Sequence, residues 1–333
     1  MKPFAVIRCA AAVTASALVL AGCGSTANSG GSANSDKKVT IGVSFDLLNA
    51  IRQAEKSAIE KSAKAAGYEI VFSVADKDAQ KQTSQIQDMI QTRKVDAVIA
   101  IAQDGQQIAS SIALAKARKV PFVAVDRAVA DRANTTFQIT GDPVADGRLA
   151  AAEFVGVARS EPLKVLELVG ALTDQNAIGR RDGFNAALKG SPKVSVVSQV
   201  PTNWDPSQAL DATSNALQRN PSINAIFIPS DFLLPSVQSA LTSAKRLAPV
   251  GDPQHVVIVT IDGDENGCKA LRQKTIDADI ATPVDEFGTE AVRAITTALA
   301  GRTVAPRTVQ SKGLPLNRTN YATTSARVWG CGA

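Results

Sequence analysis

Residues 120–129 read VPFVAVDRAV, an apolar run that stops at Asp126 and Arg127. Removing two opposite charges from water costs several kcal/mol per ion unless each is paired and hydrogen-bonded. Either the two form an ordinary loop ion pair just outside a core, or the fold delivers them to a place where something polar is held. Side by side they offer acceptors and donors to a polar guest. Asp accepts from two hydroxyls, and the Arg fork donates to two oxygens. The pair also neutralises itself, which makes its removal from water tolerable.

Catalytic patterns are sparse. No Gly-x-x-x-x-Gly-Lys-Ser/Thr phosphate loop, no Gly-x-Gly-x-x-Gly dinucleotide turn and no Gly-x-Ser-x-Gly elbow occurs. His255, the only histidine, precedes a strand, so a Ser-His-Asp triad lacks a base. Two Asp residues can always be drawn together as a glycosidase pair, so an exported carbohydrate-acting enzyme stands as the alternative function. The stretch DGDENG (262–267) sets Asp262, Asp264, Asn266 and Gly267 at the first, third, fifth and sixth places of a calcium loop. Gln273 at the twelfth cannot supply the bidentate carboxylate. A turn and helix N-cap is the better reading, and neither a metal nor a cofactor is expected.

The elements that must position these residues alternate. Apolar, β-branched runs read as strands at 39–45, 69–74, 95–102, 120–125, 135–140, 163–170, 193–200, 223–228, 255–261 and 275–281. Between them 50–66, 78–93, 105–118, 142–159, 176–189, 206–219, 231–245, 264–273 and 285–300 read as helices. Asp142-Pro143 and Asp205-Pro206 look like N-cap and N1 pairs. Continuous apolar strands alternating with helices imply parallel sheets covered on both faces. Two such α/β units, split near residue 140, account for 333 residues. In open α/β sheets a ligand binds beyond the carboxyl ends of the strands. Those ends carry Asp46 and Asn49, Asp76, Gln103 and Asp104, Asp126 and Arg127, then Ser230 and Asp231, and Asp262.

Composition narrows the function. Hydrophobic content of 45% and charged content of 20% suit a globular chain, and 4% aromatics leave few rings for a ligand platform. The net charge of +5 falls to +3 without Lys2 and Arg8, with no basic run, so no nucleic-acid partner is expected. Lys2 and Arg8 precede an apolar stretch of signal-peptide length that ends in LAGC (Leu20–Cys23), which resembles the bacterial lipobox. Residues 1–22 are therefore expected to be a lipoprotein signal peptide and Cys23 the lipidated residue, giving an anchor at the outer face of the cell membrane. Residues 23–37, rich in Gly, Ser and Asn, read as a flexible tether. In an oxidising compartment Cys268 and Cys331 are expected to form a disulfide.

The ordered set IGVSF…LLNA, GYEIVFSVADKDAQKQTSQIQDMI, KVDAVIAIA, VPFVAVDRAV, GRRDGFNAAL, FIPSD and VTIDG resembles the ribose/galactose-type periplasmic solute-binding proteins of ABC sugar importers. The resemblance spans 38–312. It implies the type I fold: two Rossmann-like, doubly wound parallel-sheet lobes joined by a three-stranded hinge. The lobes would be 38–140 plus 283–311 and 141–282 plus 312–333. It also implies a monomer that binds a monosaccharide or sugar alcohol, pentose- or polyol-sized, and hands it to ABC permease subunits. A lac-repressor-type regulator shares the fold, but the exported N-terminus and the lack of a helix-turn-helix argue against it.

Carried over by position, Asn49 matches the Asn after the first strand, and Asp126-Arg127 the pair that clamps hydroxyls. Trp204 falls where a ring meets the sugar's C–H face. Ser230 takes the usual Asn position before Asp231, Asp262 the Asp after VTI, and Thr282 the usual Gln at the hinge. Asp46, Asp104 and Asn176 complete the expected site. The chain departs from the family at Ile51-Arg52, where two Phe are usual, at Ile178, where an Arg is expected, and at Ile261. These departures imply a pocket less aromatic and less basic than a ribose site, with Arg180 and Arg181 bracing the second lobe.

Overall fold

The computed structural model describes residues 38–158 and 161–332. The expected signal peptide and tether, with Cys23, lie outside the described residues.

The first unit runs β1 (Thr40–Phe45), α1 (Ala50–Ala65), β2 (Glu69–Val74), α2 (Ala79–Gln91), β3 (Ala97–Ala100), α3 (Ala109–Ala117), β4 (Phe122–Asp126) and β5 (Phe137–Gly141). The second runs α4 (Pro143–Val157), β6 (Leu163–Val169), α5 (Gln175–Leu188), β7 (Val194–Pro201), α6 (Pro206–Arg219) and β8 (Ala225–Phe227). It continues with α7 (Leu234–Ser243), β9 (Val257–Asp262), α8 (Glu265–Arg272) and β10 (Ala278–Ala281). Then come α9 (Val284–Leu299), β11 (Thr308–Ser311), β12 (Leu314–Asn317) and the short α10 (Tyr321–Thr324).

These strands form two six-stranded sheets, ordered β2-β1-β3-β4-β5-β11 and β7-β6-β8-β9-β10-β12. Each is a doubly wound α/β lobe whose order reverses beside its first strand, the place where such sheets open a crevice. The chain passes between the sheets after β5, after β10 and after β11. Helix α9 packs back on α1, β4 and β5 of the first sheet. Only two residues separate β11, which runs parallel to β5, from β12. Since β11 ends at the cleft, β12 must start there and run away from it, so it pairs antiparallel with β10. The sequence pattern implied parallel strands throughout, and this connection is the exception.

The alternating pattern forms these elements for local reasons. Central strands β3 and β4 are buried along their whole length, as their unbroken apolar runs require. Edge strand β7 alternates between partly buried and exposed positions. Asp142 and Asp205 cap α4 and α6 with Pro at the first turn. Phe184 stacks on Phe227 at 4.4 Å and meets Phe154 edge-on at 5.5 Å in the second core. Two helices start later than their patterns suggest. Asp104 turns the amides of Gln106 and Gln107 onto its own carboxylate, so α3 begins only at Ala109. Asp231–Leu233 form a single 3-10 turn before α7. Cys268 on α8 is joined to Cys331 by a disulfide, Cα–Cα 5.2 Å, which ties the C-terminal tail to the second lobe.

Candidate functional site

Strand ends from both sheets converge on one cleft, and the backbone is strained where they do. Asp126 has φ 60°, Trp204 φ 55° and Asp262 φ 127°, all in the left-handed region that disfavours residues with a Cβ. At Asp126 the Arg127 amide bonds back to the Val125 carbonyl at 2.7 Å, a three-residue turn of the rare positive-φ kind. Such conformations cost about 1–3 kcal/mol each and persist where the surroundings enforce them. Here the turn swings the Asp126 and Arg127 side chains into the cleft instead of along the sheet.

The cleft encloses a cavity of about 30 Å³. The first lobe lines it with Asn49, Arg52, Asp126 and Arg127. The second supplies Asp174, Asn176 and Arg180 from α5 and its cap, with Trp204, Ser230, Phe232 and Asp262. Asn49 also caps α1 by accepting from the Arg52 amide at 3.2 Å. Asp126 and Arg127 do not neutralise each other as the sequence suggested. Arg52 Nη2 lies 2.9 Å from Asp126, while Arg127 lies 3.0 Å from both Asp46 and Asp174. The Arg127–Asp46 contact is an ion pair without hydrogen-bond geometry, since Asp46 Oδ2 accepts no hydrogen bond. Across the cleft Arg180 donates to Asp262 Oδ1 at 3.0 Å and to the Pro229 carbonyl at 2.7 Å. Ser230 donates to the other Asp262 oxygen.

Trp204 is held from two sides. Its Nε1 donates to Asp174 Oδ2 at 2.9 Å, and its ring lies over Gly170, where a Cβ would stand 2.2 Å from the indole. Gly170 is required because only a residue without a side chain lets the ring approach the backbone so closely.

Four residues expected at the site do not line the cavity. Asp104 is spent accepting the Gln106 and Gln107 amides in the turn ahead of α3, at the exposed rim. Asp46 lies fully buried beneath Arg52 and Arg127 as their counter-ion. Asp231 accepts from Thr260 and from the Asp264 amide, behind Asp262. Thr282 reaches Asp262 from behind at 3.4 Å. In the calcium-like stretch Asp264 caps α8 through the Asn266 and Gly267 amides.

Three guanidinium groups line the pocket, where the sequence reading placed Arg127 alone. Arg52 stands in one of the two positions where rings were expected, and Arg180 proves to be a cavity residue, whereas Arg181 pairs with Asp182 on the solvent side. Arg180 could have been found from spacing. It lies four residues after Asn176 and hence on the same face of α5. Asp174, Arg52 and Phe232 were not chosen from the sequence either.

Burial dominates the electrostatics. It opposes ionisation of Asp46, yet Arg127 and Arg52 hold that carboxyl below its ordinary value. Burial raises Asp262, with Arg180 and Ser230 opposing. Deeper in the second lobe, burial and mutual repulsion raise Asp231, while burial raises its close neighbour Asp279. Burial lifts Glu55, beside Arg52, to about 8, with Asp126 and Asp46 reinforcing and Arg52 opposing. Burial lifts Asp146, between Gly141 and the Gly313 amide, to about 7, with Arg180 opposing.

Carboxyls raised in this way make stability fall with pH. Unfolded Asp and Glu release their protons near pH 4, so between about pH 4 and 8 the folded protein holds protons the unfolded chain has lost. Each extra proton costs about 1.4 kcal/mol of stability per pH unit in that window. Urea unfolding is expected to show greater stability at pH 5 than at pH 8, with Glu55→Gln flattening the difference. Greater wild-type stability at pH 8 would contradict the assignment.

The periplasmic binding protein domain matches residues 41–303. The chain belongs to the periplasmic binding protein family. Among its relatives, this periplasmic binding protein is 28% identical over 269 residues to the ribose import binding protein of Bacillus subtilis, covering 80% of this chain and 84% of that one. It is 28% identical over 261 residues to the xylitol-binding protein of Mycolicibacterium smegmatis, covering 77% and 69%. The crystal structure of a galactofuranose binding protein superposes with TM-score 0.80 at 18% identity, over 89% of this chain and all of that one. A solute binding protein from Bacillus halodurans with bound myo-inositol superposes at 0.79, with 20% identity over 87% and 98%. These two likenesses show the type I periplasmic binding protein fold. The matched relatives are named as binding proteins, not as enzymes.

Proposed function

We propose that this chain is the extracytoplasmic binding protein of an ABC importer and holds a monosaccharide or sugar alcohol between two closing lobes. The single observation that carries the reading is a pair of unsatisfied donors. Arg127 and Arg180, from opposite lobes, both line the cavity, and the Nε of each is buried without an acceptor among the described residues. A buried donor left unpaired costs about 1–3 kcal/mol, so the cleft favours a guest whose oxygens accept from both arginines. A guest with adjacent hydroxyls can do this while donating to Asp126 and Asp262, and Trp204 and Phe232 offer rings to its C–H faces. Four carboxylates (Asp46, Asp126, Asp174 and Asp262) against three arginines, with burial keeping Glu55 largely protonated at neutral pH, favour a neutral guest over a sugar acid.

The relatives named for ribose and xylitol support a pentose- or polyol-sized ligand. In this reading residues 1–22 are a lipoprotein signal, Cys23 carries the lipid, and 23–37 tether a monomer to the outer face of the membrane. The lobes divide as 38–140 plus 283–311 and 141–282 plus 312–333. They hinge at the three connections, and permease subunits receive the closed form.

A thermal-shift screen over pentoses, hexoses and polyols tests the proposal, with the guest recovered and analysed afterwards. A guest at a hundred times its Kd is expected to stabilise the fold by about 2.7 kcal/mol, raising the melting temperature by a few degrees. It should be recovered unaltered. Absence of any shift across the panel, or recovery of a product, would contradict the proposal.

A further inference from the structure

Among the described residues, three side-chain contacts join the lobes directly across the cleft. Asn176 Nδ2, in the first turn of α5, reaches both carboxylate oxygens of Asp126 at 3.2 Å. Arg127 Nη2 lies 3.0 Å from Asp174 Oδ2. Lys77 Nζ adds a longer contact, 3.5 Å from the Trp204 carbonyl. Groups 3.0–3.2 Å apart leave no space for a guest atom between them.

Both halves of the main contacts are fixed within their own lobes. Asp174 Oδ1 caps α5 by accepting from the Asn176 amide at 2.9 Å, while Oδ2 takes the Trp204 indole N–H. On the other side Arg52 holds Asp126, whose backbone turn already aims the carboxylate outward. Little side-chain freedom is therefore left to lose when the halves meet.

We propose that Asp174 and Asn176 form an interlobe latch by which the protein's own groups hold the cleft shut. The latch rests on the two-lobe hinge of the proposed function, but not on the identity of the guest. Contacts made only in the closed form shift the open–closed equilibrium by their whole energy, so closure does not wait for a guest. A sugar-sized guest must first part these contacts, because the closed cavity measures only about 30 Å³.

Small-angle X-ray scattering on the guest-free protein tests the latch. The variants are Asp174→Asn, which keeps one oxygen for the helix cap but removes the charge facing Arg127 and turns an amide group toward the Trp204 indole, and the Asp174→Asn/Asn176→Ala double variant. Asn caps a helix as well as Asp does, so the single variant carries the test if the double one does not fold. Wild type is expected to be compact and both variants to show a larger radius of gyration. The equilibrium should shift at least about tenfold toward the open form, as removal of a buried ion pair made only in the closed form implies. Equal radii in wild type and variants would overturn the latch. So would the same expansion in Asp182→Asn, whose carboxylate pairs with Arg181 on the outer face of the same helix. A sugar panel without binding would defeat the guest reading and leave this comparison intact, since the scattering needs no guest.

Discussion

Asp262→Ala is expected to lower stability by about 3–5 kcal/mol, because it leaves a buried guanidinium without its partner. Arg180 would keep only the Pro229 carbonyl, and Ser230 and Thr282 would lose their acceptor. Asp262 also lies at φ 127°, so an Ala there retains the strained backbone without the interactions that enforce it. Guest affinity should fall about a hundredfold, the scale of a lost hydrogen bond to a charged group. Asp262→Asn, which keeps an acceptor for Arg180, should recover much of the stability and less of the affinity. Chemical denaturation and titration of both variants check this. Wild-type stability in the Ala variant would mean that Arg180 does not depend on Asp262.

Gly183→Ala is expected to have a large effect for a single added methyl group. Helices α4 and α5 meet so closely that a Cβ at Gly183 would stand 2.1 Å from the Val144 carbonyl oxygen. Gly147 makes the reciprocal approach, 2.1 Å from the Arg180 carbonyl. No side chain can move aside there, because the obstacle is backbone. Overpacking of this kind costs about 1–3 kcal/mol and sometimes more. The helix forced outward is α5, which carries Asn176 and Arg180 and is capped by Asp174. The melting temperature should therefore drop and guest affinity should drop with it. An Ala variant with wild-type melting and binding would show that α5 can shift without disturbing the cleft.

Much of the architecture was legible because it rests on periodicity. Apolar runs alternating with helices fixed the two sheets, and strand-end logic led to Asp126, Arg127 and Asp262, which the fold brings to one cavity with Asn49, Asn176, Trp204 and Ser230. What stayed hidden depends on geometry that one-dimensional pattern does not carry. The charge balance was misread, since Arg127 is countered by Asp46 from beneath and Asp174 from across the cleft, both distant in sequence. Arg52 looked like a lost ring, although its fork is filled by Asp46, Glu55 and Asp126. Asp104 sat at a strand end like the others, yet two nearby amides claimed it. The positive φ at Asp126, Asp262 and Trp204 has no signature in residues that are not glycine.

Isothermal titration of the full chain with the best guest from the thermal-shift screen, run beside Asp126→Ala, tests the central claim most directly. The account predicts one guest per chain and at least a tenfold weaker affinity in the variant, with its fold retained. Equal affinity in the two proteins would remove Asp126 from the site and contradict the account of a hydroxyl-rich guest held between the lobes.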